Sequence, residues 1–491
     1  MNDDLTPDPR PRPIGDEPPA TPEAGAPLGG PPDPSRLQMP ASPPPKPTVA
    51  TVPPVAPFSR RKFLGVAGGV AGVAAAGGGV WAALVRDSVD SSAGRLAATT
   101  TTTTTSLAPT TTTLAGGSAV PYGERVLVIL EMAGGNDALN TLVSTDGRYR
   151  DQRPQLAVAE SELVALSGTD YSLHPSLAPL VPYWDAGSMA AVAGGGMLDQ
   201  SRSHFKAMDT WWSAVPGASS QTGWLGRWLD ATLVGQNDPL RAIALGGGSR
   251  ALVGMNTLAT VVRSPSTFSL QTMDGADNDA LVAAFLATSE PLSAVPELAA
   301  AQYAIPSTLS AVDLLASVSG GSEDDFTGGQ NGGNTAAGLL QTAAGIIDLD
   351  IGTRVITVGI SGFDTHANQA PNHANLLADI GDGLAAFFAR LEADGNSDKV
   401  MVITTSEFGR RIAENGSGGT DHGQGGCQFL FGPGVAGGQV AGGYDFDRPD
   451  RGDLPIVVDT RSVYATGLDW MGGPTDDVLG GAHDRLGLLT A

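Results

Sequence analysis

The sequence predicts an α/β fold, a mainly parallel sheet flanked by helices, behind a disordered N-terminal region. Three observations predict it. Arg354–Ile360 (RVITVGI) and Lys399–Thr405 (KVMVITT) are short, continuous apolar runs rich in β-branched residues, as strands buried on both faces are. Between them, Asn372–Ala393 carries Leu376, Leu377, Ile380, Leu384, Phe387, Phe388 and Leu391 at helical spacing. Strand, long helix, strand implies a parallel crossover. Finally, polar clusters directly follow predicted strands, where open α/β sheets place ligands.

The elements in order are these. Residues 1–57 are rich in Pro, Gly and Ala and poor in aromatics, so they bury too little surface to fold. In residues 58–93, Ser59-Arg60-Arg61-Lys62-Phe63-Leu64 precedes an uncharged run, Leu64–Val85, that contains seven glycines. Twin arginines, Phe-Leu and a weakly apolar run in that order resemble a twin-arginine export signal, cleaved or kept as an anchor. A transmembrane helix is the alternative, but so many glycines make a poor one. Residues 94–118 are threonine-rich and read as an extended linker. Residues 119–491 then form one large domain.

Within that domain, Arg125–Glu131 (RVLVILE) reads as a buried strand and Met189–Ala193 as another. A helix is predicted from Pro175, since proline suits a first turn, and another over Ser203–Trp212 with Ser203 near its N-cap. Asp459–Met471 reads as a late helix. Ser319–Asn334, rich in Gly, Asn and Asp, reads as a lid or an insertion.

The formal net charge is −23, with 51 acidic against 28 basic residues, which argues against nucleic-acid binding. The single cysteine, Cys427, excludes an intrachain disulfide.

Three of the six histidines fall between His366 and His422. Asp364 and His366 are two apart, and in an extended segment they project to one side, able to grip one metal ion. Asp421 and His422 sit in a glycine-rich loop, Asn415–Gly426. One of them suits a metal, while the other binds a second ion or orients the first ligands. Glu407, after KVMVITT, suits a ligand or a general base. Arg410 or Arg411 suits an oxyanion clamp. Asp137 follows Gly134-Gly135-Asn136 after the first strand. Ser201-Arg202-Ser203-His204 precedes a helix, where a serine hydroxyl can serve as a nucleophile and backbone N–H groups can hold phosphate. Asp, Glu and His from separate loops are what a hard or borderline divalent cation needs.

Together these strings resemble the bacterial family catalogued as domain of unknown function 1501. They are Gly134 to Asp137, Leu173-His174-Pro175, Arg202-Ser203-His204-Phe205, Gly223 to Arg227, Phe363 to His366, Thr405 to Arg410 and Thr420 to Gly423. The resemblance implies kinship with the alkaline phosphatase and sulfatase superfamily, and so a metal site of Asp and His. It makes Asp137 similar to a first-strand metal aspartate, and Ser203, or else Ser201, similar to the nucleophile. Asp364, His366 and His422 resemble ligands of one ion; either Glu407 or Asp421 serves a second, or the site holds one ion. Phe408 departs from the superfamily, standing where a second-metal histidine is expected. The implied activity is an exported metal-dependent hydrolase or transferase acting on a phosphate or sulfate ester, with Zn, Mn, Mg or Ca as the ion. Its partners would be an anionic ester substrate and the twin-arginine export machinery, with membrane contact only through the signal segment. A non-catalytic cell-envelope binding or assembly protein on a degenerate scaffold is the alternative.

Overall fold

Val126–Ala133 (β1) is apolar at nearly every position because both of its faces are covered. Val128 and Leu130 face one cluster of buried side chains, Leu127 and Ile129 the other. The structure, a computed structural model, describes residues 120–490 apart from 218–219, 235–237, 258, 264–277, 296–297, 300, 303, 307–308 and 310–334. The Pro-rich region, the export signal, the threonine linker and the Ser319–Asn334 loop lie outside the described residues. Among the described residues no helix is long and apolar enough to cross a membrane.

The other strands of the main sheet are Met189–Gly196 (β2), Ala242–Leu245 (β3), Thr260–Val262 (β4), Val355–Ser361 (β5), Val400–Thr405 (β6), Gly426–Phe431 (β7), Val440–Gly442 (β8) and Val458–Asp459 (β9). Their order is β8-β2-β7-β6-β1-β5-β3-β4, with β9 also on β2. Every pairing is parallel except those of β7, which runs antiparallel to both β2 and β6. The mainly parallel sheet is therefore as predicted.

Five helices matter for the site and the core: His204–Ser213 (α1), Trp224–Ala231 (α2), Ala336–Asp348 (α3), Gln369–Ala393 (α4) and Thr460–Met471 (α5). Leu340 of α3 and Leu384 and Phe387 of α4 cover one face of the sheet. Trp224 and Trp228 of α2 and Leu468 of α5 cover the other. Burying a side chain of this size contributes roughly 1.5–3 kcal/mol. The late helix starts as expected, with Asp459 accepting from Arg461 N at 2.9 Å.

The predicted helix at Pro175 is instead a 3-10 turn, Pro175–Leu180, followed by the short α-helix Val181–Asp185. Pro179 and Pro182 lack the N–H groups that a longer α-helix needs.

Register places the site. Ala133 of β1 lies beside Ser361 of β5, and Glu131 beside Thr405 of β6. Three neighbouring parallel strands thus end together, and their following loops meet at one sheet edge.

Candidate metal centre

The loops after β1, β5 and β6 are joined by Arg410, whose side chain is fully buried. Its Nε donates to Gly135 O (2.7 Å) and its Nη1 to Thr420 O (2.9 Å). Its Nη2 donates to Gly134 O, Phe363 O (2.9 Å) and Asp364 Oδ1 (2.8 Å). Each N–H-bearing nitrogen is thus committed to the protein's own oxygens, and the guanidinium fixes the Asp364 carboxylate instead of facing open space. The approach is close: a Cβ at Gly134, where φ is 122°, would stand 2.4 Å from Asp364 N.

The glycine-rich loop is pinned to this junction. Arg410 pairs with His422 in an antiparallel bridge, and Gly423 N donates to Gly409 O at 2.8 Å. A Cβ at Gly419 would lie 2.3 Å from the His366 backbone, so glycine permits the contact.

Helix α1 brings in a histidine that sequence reasoning did not select. His204 Nδ1 is 2.8 Å from Glu407 Oε1, and its Nε2 lies 3.4 Å from Asp364 Oδ2 with no hydrogen bond of its own. His422 Nδ1 is 2.8 Å from Arg202 O. His366 Nδ1 is 3.2 Å from Asp421 Oδ1. A carbonyl or carboxylate oxygen only accepts, so each Nδ1 donates and each ring turns its Nε2 inward, free to ligate when that nitrogen carries no proton.

The Nε2 atoms converge on one carboxylate. Asp364 Oδ1 is 3.0 Å from His422 Nε2 and 3.1 Å from His366 Nε2. His366 Nε2 and His422 Nε2 are 2.9 Å apart, a contact between two lone pairs that needs a proton or a metal ion to hold it. His204, Asp364 and His422 each offer a ligand atom within 4.8 Å of the others. Metal–ligand bonds of about 2.0–2.2 Å in tetrahedral geometry put neighbouring ligand atoms about 3.3–3.6 Å apart, close to the 3.0–3.4 Å between the Asp364 oxygens and the three Nε2 atoms. Burial opposes ionisation of Asp364, but the Arg410 guanidinium overcomes it and holds its pKa at about 2. The ligand carboxylate is therefore charged.

The remaining candidates surround this set. Glu407 is buried and accepts from Gly134 N at 2.8 Å, so it stands behind His204. Asp421 stands behind His366. A hydrogen bond from Asn415 lowers its pKa, against slight burial and with help from His366. Asp137 is committed to other partners. Its carboxylate is paired with Arg153 at 2.6 and 2.9 Å and also accepts from Gln369. Burial works against its charge, and the Arg153 guanidinium more than compensates, leaving its pKa low. Ser203 is exposed beside His204 and its side chain makes no helix-capping bond. Phe408 packs under the cluster, its ring 4.7 Å from that of His422 and 5.0 Å from that of His204. The string Arg202-Ser203-His204-Phe205 carries the signal for His204, next to the serine.

A cleft of about 500 Å³ opens beside the cluster, lined by His204, Asp364, Glu407 and the outer face of α1.

A mainly parallel α/β domain with a His- and Asp-rich candidate metal centre at the strand ends is the class that these features define. The chain belongs to the family described as "Protein of unknown function (DUF1501)", whose profile matches residues 154–490. The match takes in the strings from Leu173 onward but not Gly134–Asp137. No curated protein matches the sequence. Solved structures that resemble it include a lipoteichoic acid synthase from Listeria monocytogenes (9% identical, TM-score 0.30, covering 65% of this chain and 68% of that one). A sulfatase from Pseudoalteromonas sp. is 12% identical, with TM-score 0.33 and coverage of 74% and 72%. The C-terminal periplasmic domain of EcEptC from Escherichia coli, in complex with Zn, is 9% identical, with TM-score 0.30 and coverage of 63% and 72%. At these scores the likeness decides nothing about the site, whose chemistry follows from its own residues.

Proposed function

We propose that the protein is an exported hydrolase or transferase of phosphate or sulfate esters, dependent on a divalent metal ion held by His204, Asp364, His366 and His422. One observation carries this reading: three imidazoles, each with Nδ1–H committed to an acceptor, direct Nε2 at a single ionised carboxylate. Three nitrogens and one oxygen suit Zn far better than Mn, Mg or Ca, which favour oxygen ligands.

When bound, such an ion supplies Lewis-acid stabilisation of charge developing on the ester oxygens and makes a nearby hydroxyl or water more acidic. The chain's own residues do the rest. Glu407 and Asp421 lock the tautomers of His204 and His366. Arg410 holds Asp364 ionised and in place. Ser203, exposed one residue before His204, is the nucleophile in this reading. Export rests on Ser59–Leu64 and the run after it, and the export machinery is the partner that this segment would meet.

Metal analysis of untagged protein, combined with turnover of aryl phosphates and aryl sulfates, tests the reading. It predicts bound metal and turnover that His422→Ala abolishes. Metal-free protein together with an unaltered His422→Ala variant would sink it.

One observation favours a second reading, a binding or assembly protein without turnover. The Phe408 ring packs against His204 and His422, and the family resemblance puts a phenylalanine there in place of a second-metal histidine. Ser203→Ala should then leave ligand binding intact, with no turnover to lose.

A further inference from the structure

The cleft beside the cluster has two kinds of lining. His204, Asp364 and Glu407 bring polar atoms to it, and Phe205, Met208 and Trp212 of α1, with Ala133, Gly134 and Gly362, bring apolar surface. Phe205 is 88% exposed, a whole aromatic ring uncovered one residue from a candidate ligand. Ligand pockets are concave and lined mainly by apolar and aromatic side chains, and this ring stands at the rim of one. Trp212 is held in the wall by a 3.4 Å hydrogen bond to Glu131 Oε2, and Ser249 fixes the other Glu131 oxygen at 2.6 Å. The apolar wall is therefore built on a buried polar support, and the cleft's volume lies in the range of small-ligand pockets.

Charge decides what fits. The ionisable lining residues are His204, Asp209, Asp364 and Glu407, with no lysine or arginine among the described residues of the lining. Asp209 is paired with Arg250, and Glu407 is turned to Gly134 N and His204. Nothing along the apolar wall attracts an anion, so a sugar phosphate or polyanion gains nothing there.

We infer that this cleft receives an uncharged, apolar substituent, aryl or alkyl, of the molecule whose polar group faces the metal cluster. That the polar group is an anionic ester rests on the function proposed above; the apolar subsite stands on the cleft alone.

Calorimetric titration of the full-length protein separates the two. The probes are 2-naphthol, 2-naphthylphosphonate and naphthalene-2-sulfonate, with methylphosphonate and methanesulfonate as ringless counterparts, each with zinc and after chelation. The naphthyl anions should bind roughly tenfold or more tighter than the methyl ones. Phe205→Ser, at an exposed position, combined with Met208→Ala, at a half-buried one, should erase that gain while leaving the circular dichroism spectrum unchanged. 2-Naphthol should bind without metal and lose its binding in the double variant. If 2-naphthol behaves this way but zinc adds nothing for either naphthyl anion, the apolar subsite holds and the ester reading fails. If the naphthyl probes bind no better than the methyl ones, or the double variant leaves their binding unchanged, the inference is overturned.

Discussion

His204 Nδ1 sits 2.8 Å from the buried Oε1 of Glu407, an oxygen that also receives the Gly134 N–H at 2.8 Å. A single carboxylate oxygen thereby ties the start of α1 to the loop after β1 and turns His204 Nε2 toward Asp364. Carboxylate–imidazole pairs of this kind fix the tautomer and orientation of a metal ligand.

Removing that acceptor should therefore act through His204. Glu407→Ala is expected to weaken zinc affinity roughly 10- to 100-fold. It should also lower stability by about 1–3 kcal/mol, because Gly134 N–H and His204 Nδ1–H lose their partner. Glu407→Gln keeps an oxygen acceptor and should retain most of both properties. Zinc titration and urea unfolding of the two variants check this.

Asp137 and the histidines should separate cleanly. Asp137→Asn strips the buried Arg153 of its counter-charge and should cost about 3–5 kcal/mol of stability. Zinc affinity of the folded fraction should stay near wild type. His204→Ala and His366→Ala should do the reverse, removing ligands on half-exposed side chains with little loss of stability.

Arg410 is built to join loops, so the flexible Lys ammonium cannot replace its planar fork. Arg410→Lys should lower the melting temperature and zinc affinity together. A rise in KM alone, with stability and metal binding intact, would mark it as a substrate clamp instead.

Glu131 gives a pH test. Burial pushes its pKa up to about 7, against the lowering effect of hydrogen bonds from Ser249 and Trp212. The folded chain keeps this proton to about pH 7, while the unfolded chain loses it near the usual value of about 4.3. Its contribution is thus fully present below the unfolded pKa and lost as pH rises through that window. Glu131→Gln should be about as stable as wild type at pH 4 and more stable at pH 8, by up to about 3 kcal/mol. His373, which burial pushes down to about 4, slopes the opposite way at lower pH, so the difference between variant and wild type is the quantity to measure.

Much of the fold was legible because β1, β5, β6 and α4 are long, one-period patterns, and their common edge followed from the parallel crossover. Strand β7 was not, since Gly426-Cys427-Gln428 continues the glycine-rich composition of the preceding loop. Helix α3 escaped notice because its alanines and glycines blur the apolar period. Asp364, His366 and His422 were readable from proximity in sequence. His204 reaches them only through the packing of α1, which no local spacing reports. Asp137 looked available beside its glycines, and its partner Arg153 is visible only in three dimensions.

The most direct test is zinc titration of the chelator-stripped full-length protein, beside His204→Ala and His422→Ala. The account predicts one ion per chain in wild type and loss of that site in both variants. A wild-type protein that binds no zinc, or variants that bind it as tightly, would contradict it.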